Sequence, residues 1–384
     1  MAAFGNRVWN AAFSETVFPA PGTLSRLRIL LATAPGAGNS RTFTLLVNGS
    51  GTALTVTISG TETAGEDLAN SASVTAGDRV QLQETVSGSP GTTFAPWSMR
   101  WVPSNDNYSI LCLTTDTTKL ASGAASSQHL VLSGCQLGPL ATTSDIGQRV
   151  YFPTGGTLRR MYVKLSAAPG TIFGRTRTFT LVKTGTDTAL QVVIDGNTTT
   201  GNDTTNTVSV ADGDYVYIKS AVGSLSVTAA WVTIGLVFEP TVKGRFLVPL
   251  AGDALLPTDT AGRDSHPCTA GAGWLAIDLF DSRSFGQFMR LHRWRVHLTS
   301  DPTGIGTWRL VSMGGDFEGL YLDFANGEFD KAISEERILA DDEWLFIRCY
   351  PTNIGDPAIN KSRASGTHEC SVAFLHEGQH GVNI

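Results

Sequence analysis

The stretch RTFTLLVNGSGTALTVTISG, from Arg41 to Gly60, returns as RTFTLVKTGTDTALQVVIDG from Arg177 to Gly196. Phe43, Leu45 and Val47 read toward one side, with Thr42, Thr44 and Leu46 toward the other. Leu54, Val56 and Ile58 alternate with Thr55 and Thr57. A period of two marks a half-buried antiparallel strand, because successive side chains point to opposite faces. The copies extend outward on both sides. PGTLSRLRILL from Pro21 is matched by TGGTLRRMYVKL from Thr154, and SVTAGDRVQL (Ser73 to Leu82) by SVADGDYVYI (Ser209 to Ile218). So long a period indicates tandem domains and not a solenoid of small units. Such a chain suits reach and surface better than a single catalytic cleft.

After Phe288 the same order returns with other residues. LHRWRVHLTSDPTGIGTWRL (Leu291 to Leu310) follows the opening strands, GLYLDF (Gly319 to Phe324) stands where TALTVTI stood, and RILADDEWLFI (Arg337 to Ile347) where SVADGDYVYI stood. This alignment places Phe43, Phe179 and Trp308 at one position and Gly77, Gly213 and Asp342 at another. The expected organisation is three β-sandwich repeats at 1–105, 106–242 and 243–384, the last divergent. Joints fall near Pro103–Asn107 and Glu239–Thr241, each after an apolar strand (Trp97–Val102 and Trp231–Phe238). Short joints predict a stiff rod or plate.

Thr and Gly are the commonest residues and charged residues are only 16%. That composition favours strands and turns, and no long amphipathic helix is evident. The predicted fold class is all-β, with antiparallel sandwich or jelly-roll-like domains. A parallel α/β sheet is disfavoured because crossover helices are missing. The first two segments are charge-balanced, with six and six, then nine and nine, basic and acidic groups; the third carries thirteen basic and nineteen acidic groups, hence the whole net charge of −6. No basic stripe marks a nucleic-acid surface. The longest apolar run, Ala229 to Phe238, is too short and too interrupted for a bilayer and reads as a buried strand, so neither nucleic-acid binding nor membrane insertion is expected. MAAFGNRVWNAAF lacks a basic start followed by an unbroken apolar core, so no secretory leader is expected. The five scattered cysteines read as free thiols in a reducing compartment.

Several patterns invite a chemical reading. His376-Glu377-Gly378-Gln379-His380 matches H-E-x-x-H, which needs a helix to bring its histidines onto one zinc and its glutamate onto a water. Here it follows an apparent strand and contains a glycine, so a chance match is favoured over a zinc metalloprotease. His266/Cys268 and His368/Cys370 form two H-x-C pairs, and on neighbouring strands they would make a Cys₂His₂ zinc site. Core cysteines and surface histidines are the plainer reading. Asp195, Asn197, Asn202, Asp203 and Asn206 crowd one segment and carry oxygens that suit calcium, but a polar loop is favoured. Gly36–Gly38 only weakly resembles a phosphate loop. Trp97, Trp101, Trp231, Trp294, Trp308 and Trp344 could stack on sugars, yet their strand positions favour core packing. No catalytic residue, cofactor-binding residue or metal ligand is assigned, and no cofactor is expected.

TAPGAGNSRTFTLLVNGSGTALTVTISG resembles a unit of bacteriophage virion proteins, in which APG…G.SRTFTL.VNG..TAL.VTISG recurs. The resemblance covers roughly Pro21–Leu82 and Thr154–Ile218 and carries strand and turn residues. It implies a phage particle built in the bacterial cytoplasm from β-sandwich modules. The expectation is therefore a non-enzymatic structural protein in the virion, exposed as a capsid decoration, spike or tail-fibre component. Its partners would be other virion proteins and copies of itself, with a trimer as the expected oligomer, since Thr-rich sheet edges need covering. The alternative is a module that attaches the particle to a host surface glycan.

Overall fold

The computed structural model describes residues 15–243, apart from 94, 96, 106, 116–117, 133, 137–147 and 173, and beyond them the backbone of the strands named below. Among the described residues there is no α-helix, and nearly all pairing is antiparallel. The first set of strands is β1 (Thr16–Val17), β2 (Gly22–Leu30), β3 (Gly36–Val47), β4 (Ser50–Gly60), β5 (Ala64–Val74), β6 (Arg79–Ser87) and β7 (Trp97–Pro103). They form two sheets, in the orders β1-β6-β3-β4 and β5-β2-β7.

The second set opens with β8 (Ser109–Thr115), β9 (Ser127–Leu130) and β10 (Gly134–Gln136), then repeats the first with β11 (Val150–Tyr151), β12 (Gly156–Leu165), β13 (Thr176–Lys183), β14 (Thr186–Asp195), β15 (Thr200–Val210), β16 (Tyr215–Val222) and β17 (Val232–Pro240). β11-β16-β13-β14 reproduces β1-β6-β3-β4, and β15-β12-β17 reproduces β5-β2-β7. β8 is added beside β17 and β9 beside β16.

The third set follows the second. It comprises β18 (Arg245–Ala251), β19 (Arg263–Ser265), β20 (Thr269–Ala270), β21 (Arg283–Ser284), β22 (Met289–Leu298), β23 (Thr307–Gly314), β24 (Phe317–Phe324), β25 (Asp330–Ile333), β26 (Arg337–Leu339), β27 (Trp344–Thr352) and β28 (Cys370–Glu377). β18-β28-β22 with β25 and β26 matches β8-β17-β12-β15, and β19 and β21 flank β27 as β9 and β11 flank β16. β20 lies parallel to β10, which itself lies parallel to β8, so the sheet of the second set continues into the third.

The register corrects one expected alignment. Phe43 faces Val56 and Glu84, and Phe179 faces Val192 and Ser220. The residue so placed in the third set is Leu310, facing Leu322 and Cys349, and Trp308 lies two residues earlier. A slip of two keeps the same face, so alternation alone cannot fix it. Asp342 lies outside the described residues.

Among the described residues two apolar cores are present. In the second, Phe179, Leu190, Val192, Ile194, Met161, Val163, Ile234 and Phe238 pack between the sheets, with Phe152 and Phe238 rings 5.0 Å apart. In the first, Phe43, Leu54, Val56, Ile58, Leu27 and Trp101 do the same, and Phe18 meets Trp101 edge-on at 6.0 Å. The small residue opposite each ring is essential. A Cβ on Gly22 would come within 2.3 Å of Trp101 Nε1, and one on Gly156 within 2.3 Å of Phe238 Cε2.

The first core also takes in Tyr108, Ile110 and Val237, which belong to β8, its approach and β17 of the second set. β17 explains this. Ile234, Leu236 and Phe238 point into the second core, while Val237 points out into the first. Every residue from Val232 to Phe238 is buried. The apolar run in the sequence is a strand covered on both faces, whereas β7 buries Met99, Trp101 and Pro103 in the alternating manner. Gly235 admits the approach: a Cβ there would lie 2.2 Å from the Val17 carbonyl oxygen and 2.9 Å from Pro19 Cδ. β1 rests against β17, β8 and β12, and β11 rests in the same way against β28, β18 and β22. The strand sets are therefore joined end to face.

Gly235→Val should push Val17 off β17. Overpacking of this kind costs about 1–3 kcal/mol, and urea unfolding monitored by tryptophan fluorescence should show a lowered midpoint. An unchanged midpoint would contradict the close approach.

Candidate functional site

The most closely built feature outside the cores lies where the first strand set meets the second. Glu15 and Arg79 come from the end of the first set; Thr114, Lys164, Ser166 and Thr233 come from β8, β12 and its loop, and β17. They line a cavity of about 250 Å³. Arg79 Nη1 lies 3.2 Å from Glu15 Oε2. Lys164 Nζ donates to Thr199 Oγ1 at 2.6 Å. Burial, and then the nearby Arg79 charge, hold the Lys164 ammonium below its ordinary pKa, with Glu15 opposing. Thr233 Oγ1 accepts from the Val17 backbone N–H at 3.3 Å and is bridged to Thr114 Oγ1. Two cations around one carboxylate can hold water or a small anion. The lining offers no nucleophile with a base beside it.

The crowded acidic segment of the second copy is not a loop around an ion. Asp195 ends β14, and Asn202, Asp203 and Asn206 lie within β15. The Asp203 carboxylate accepts from the backbone N–H groups of Gln191, Thr205 and Asn206 at 3.1, 3.1 and 3.0 Å, and from Asn206 Nδ2 at 2.9 Å. Asp67 does the same with Thr55, Ala69, Asn70 and Asn70 Nδ2. Each aspartate fastens an irregularity in pairing opposite an arginine with positive φ, Arg26 (φ 54°) or Arg160 (φ 56°). The carboxylate oxygens are spent on the protein's own N–H groups. Comparing Gly65-Glu66-Asp67-Leu68-Ala69-Asn70 with Gly201-Asn202-Asp203-Thr204-Thr205-Asn206 would have revealed the shared G-x-D-x-x-N. Among the described residues, no cluster of three or more His, Cys, Asp or Glu side chains is arranged for a metal.

The zinc expectations fare differently. His376 and Glu377 lie on β28, paired with Phe246 and Arg245 of β18. Neighbours on a strand point to opposite faces, so His376 and Glu377 are not held in the helical geometry that H-E-x-x-H needs. His380 lies outside the described residues. So do His266, Cys268 and His368, while Cys370 opens β28. The flanking strands β19 and β28 belong to different sheets, not to neighbouring positions in one. Gly36–Gly38 begins a strand and precedes no helix. Trp101 is fully packed, and Trp231 is half-buried beneath the Lys119 ammonium, 4.2 Å from its ring. Trp97 is half-buried, and Trp294, Trp308 and Trp344 lie on β22, β23 and β27. Among the described side chains no exposed tryptophan platform for a sugar is formed.

Sequence reading also missed a buried arginine in each copy. Arg41 pairs with Glu84. The equivalent Arg177 is 1% exposed and meets Ser220 Oγ at 3.2 Å and the Ala121 carbonyl at 2.5 Å, with no carboxylate partner; burial lowers its pKa to about 10. Only the repeated Arg-Thr-Phe-Thr hinted at it. No known family model matches this chain, and no curated protein does either.

Burial alone would raise the Asp67 and Asp203 pKa values, but the hydrogen bonds outweigh it and hold both below the ordinary 3.8. A depressed folded pKa gives stability that is present above the unfolded value and lost as pH falls through the folded one. Urea midpoints should therefore drop on acidification below about pH 4. Asp203→Ala should cost about 2–4 kcal/mol at pH 7 by stranding those donors, and its midpoint should change less with acid than that of the unsubstituted chain. A parallel acid response would contradict the role of the carboxylate.

Proposed function

We propose that this chain is a non-enzymatic structural protein of a bacteriophage particle, assembled in the host cytoplasm with other virion proteins and exposed as a capsid decoration, spike or tail-fibre component. Three tandem sandwich modules, at about 1–105, 106–242 and 243–384, would make up its body. The observation that carries this reading is the end-to-face docking of one copy on the next, through Val17, Phe18 and Pro19 against Gly235 and Val237. The chain's most elaborate surface is spent on joining its own modules, as a building element requires. The phage-like residues of Pro21–Leu82 and Thr154–Ile218 fall on β2 to β6 and β12 to β16, the strands that make each sandwich. The aspartate fasteners are consistent with a load-carrying role, since each ties strands within its own set and presents no reacting group.

Purified particles from the host that carries the gene, examined by quantitative mass spectrometry, should contain the chain at a fixed ratio to the major capsid protein. Recovery only in the particle-free lysate would overturn the reading.

A further inference from the structure

The junctions have a direction. The end of the first set, β1, sits on the outer face of β17, β8 and β12; the corresponding end of the second set, β11, sits on β28, β18 and β22. These are equivalent elements. Val17 pairs with Arg79, Tyr151 with Tyr215 and Ser284 with Trp344, which makes β21 the third member of the series β1, β11. Gly235 pairs with Tyr162, Ala373 with Arg295 and Ser98 with Arg28, which makes β7 the third member of the series β17, β28. The end of the third set has one face of this kind left to meet within the chain, and β21 does lie beside β7. A phenylalanine comes directly after the end strand in all three copies, at Phe18, Phe152 and Phe285.

We infer that the third set docks on the first as the first docks on the second, so that one chain closes into a ring of three sandwiches about a pseudo-threefold axis. The interaction surface is the outer face of β7, around Ser98 and Arg100, and its occupant is the β21 segment of the same chain. Two features support this. The residues at the equivalent register position are small throughout: Gly235, Ala373 and Ser98. At Gly235 the missing Cβ is what lets the Val17 carbonyl near. The contact of β21 with β7 also repeats that of β1 with β17 and of β11 with β28, and a repeated heterologous contact makes a ring when its rotation closes.

The consequence concerns assembly. The faces through which single modules would trimerise head to tail are occupied inside one chain. The homotrimer expected from the sequence is replaced, at these faces, by an internal threefold, and the protein enters any larger assembly as a closed three-lobed unit. The inference stands apart from the phage reading, because it is tested on the isolated chain.

The test is disulfide trapping in the full chain. Ser98→Cys with Ser284→Cys places thiols where Gly235 and Val17 meet at the first junction, and Tyr151→Cys with Ala373→Cys does so at the second. After mild oxidation, peptide mapping by mass spectrometry should find the 98–284 link, and the denatured, unreduced protein should run at the mass of one chain. Native mass spectrometry of the unsubstituted protein should likewise give one chain. A 98–284 link that joins two chains would overturn the ring, since the same faces would then build an open filament. So would failure of that link in protein whose 151–373 pair does form.

Discussion

The structure depends on one strand being buried on both sides. β17 donates Ile234, Leu236 and Phe238 to the second core and Val237 to the first, and Gly235 leaves room for the Val17 carbonyl between them. A strand that closes a sandwich normally shows water one of its faces, and in β7 Arg100 and Val102, between the buried Met99, Trp101 and Pro103, are only half-buried. In β17 the outer face became interior, and the strand sets lost their independence. Apolar area removed from water is the main stabilising term in folding, at roughly 25 cal/mol per Å². A shared strand therefore couples the stabilities of both neighbours. The polar cavity beside it, with Lys164, Arg79 and Glu15, marks where the apolar seam ends.

Around that seam each sandwich is tightened by buried polar groups. Asp67 and Asp203 satisfy the backbone N–H groups freed where β5 and β15 depart from regular pairing, opposite Arg26 and Arg160. Unsatisfied buried donors are costly, so the irregularity persists only with its carboxylate. In the third set that residue is changed: Leu27 faces Asp67 and Met161 faces Asp203, but Trp294 faces Ile333 of β25, which like β26 pairs with β22. Ile333 has no oxygen to accept those bonds. The aromatic pairing changes too: Met289 stands where Gly22 and Gly156 stood, and His376 where Trp101 and Phe238 stood.

Much of the fold is legible in the residues. The duplicated RTFTL…TAL segments, the Thr-and-apolar alternation and the turns at Gly77 and Gly213 announce antiparallel sandwiches, and Ala229–Phe238 announces a buried strand. The parts that are not legible have physical causes. β8, β9 and β10 have no counterpart among the described residues of the first copy, so repetition could not reveal that they widen both sheets of the second. Register escaped because alternation repeats every two residues, and Trp308 took the place of Leu310. The aspartate fasteners were hidden by composition: a row of Asn, Asp and Thr looks like a loop or a cation site until the backbone donors that consume its oxygens are seen. The docking face was invisible because Gly235 matters for what it lacks.

A chain whose strand sets share a buried seam is suited to bearing load and fixing spacing, which is the sense of the proposed virion role. The central claim is that the first two strand sets stand or fall together through β17. Hydrogen–deuterium exchange read by mass spectrometry tests it most directly. Amides of 232–240 should exchange only with whole unfolding, as slowly as the core strands 43–46 and 179–182, and all three should lose protection at the same urea concentration. Exchange of 232–240 through local opening, while both cores stay protected, would contradict it.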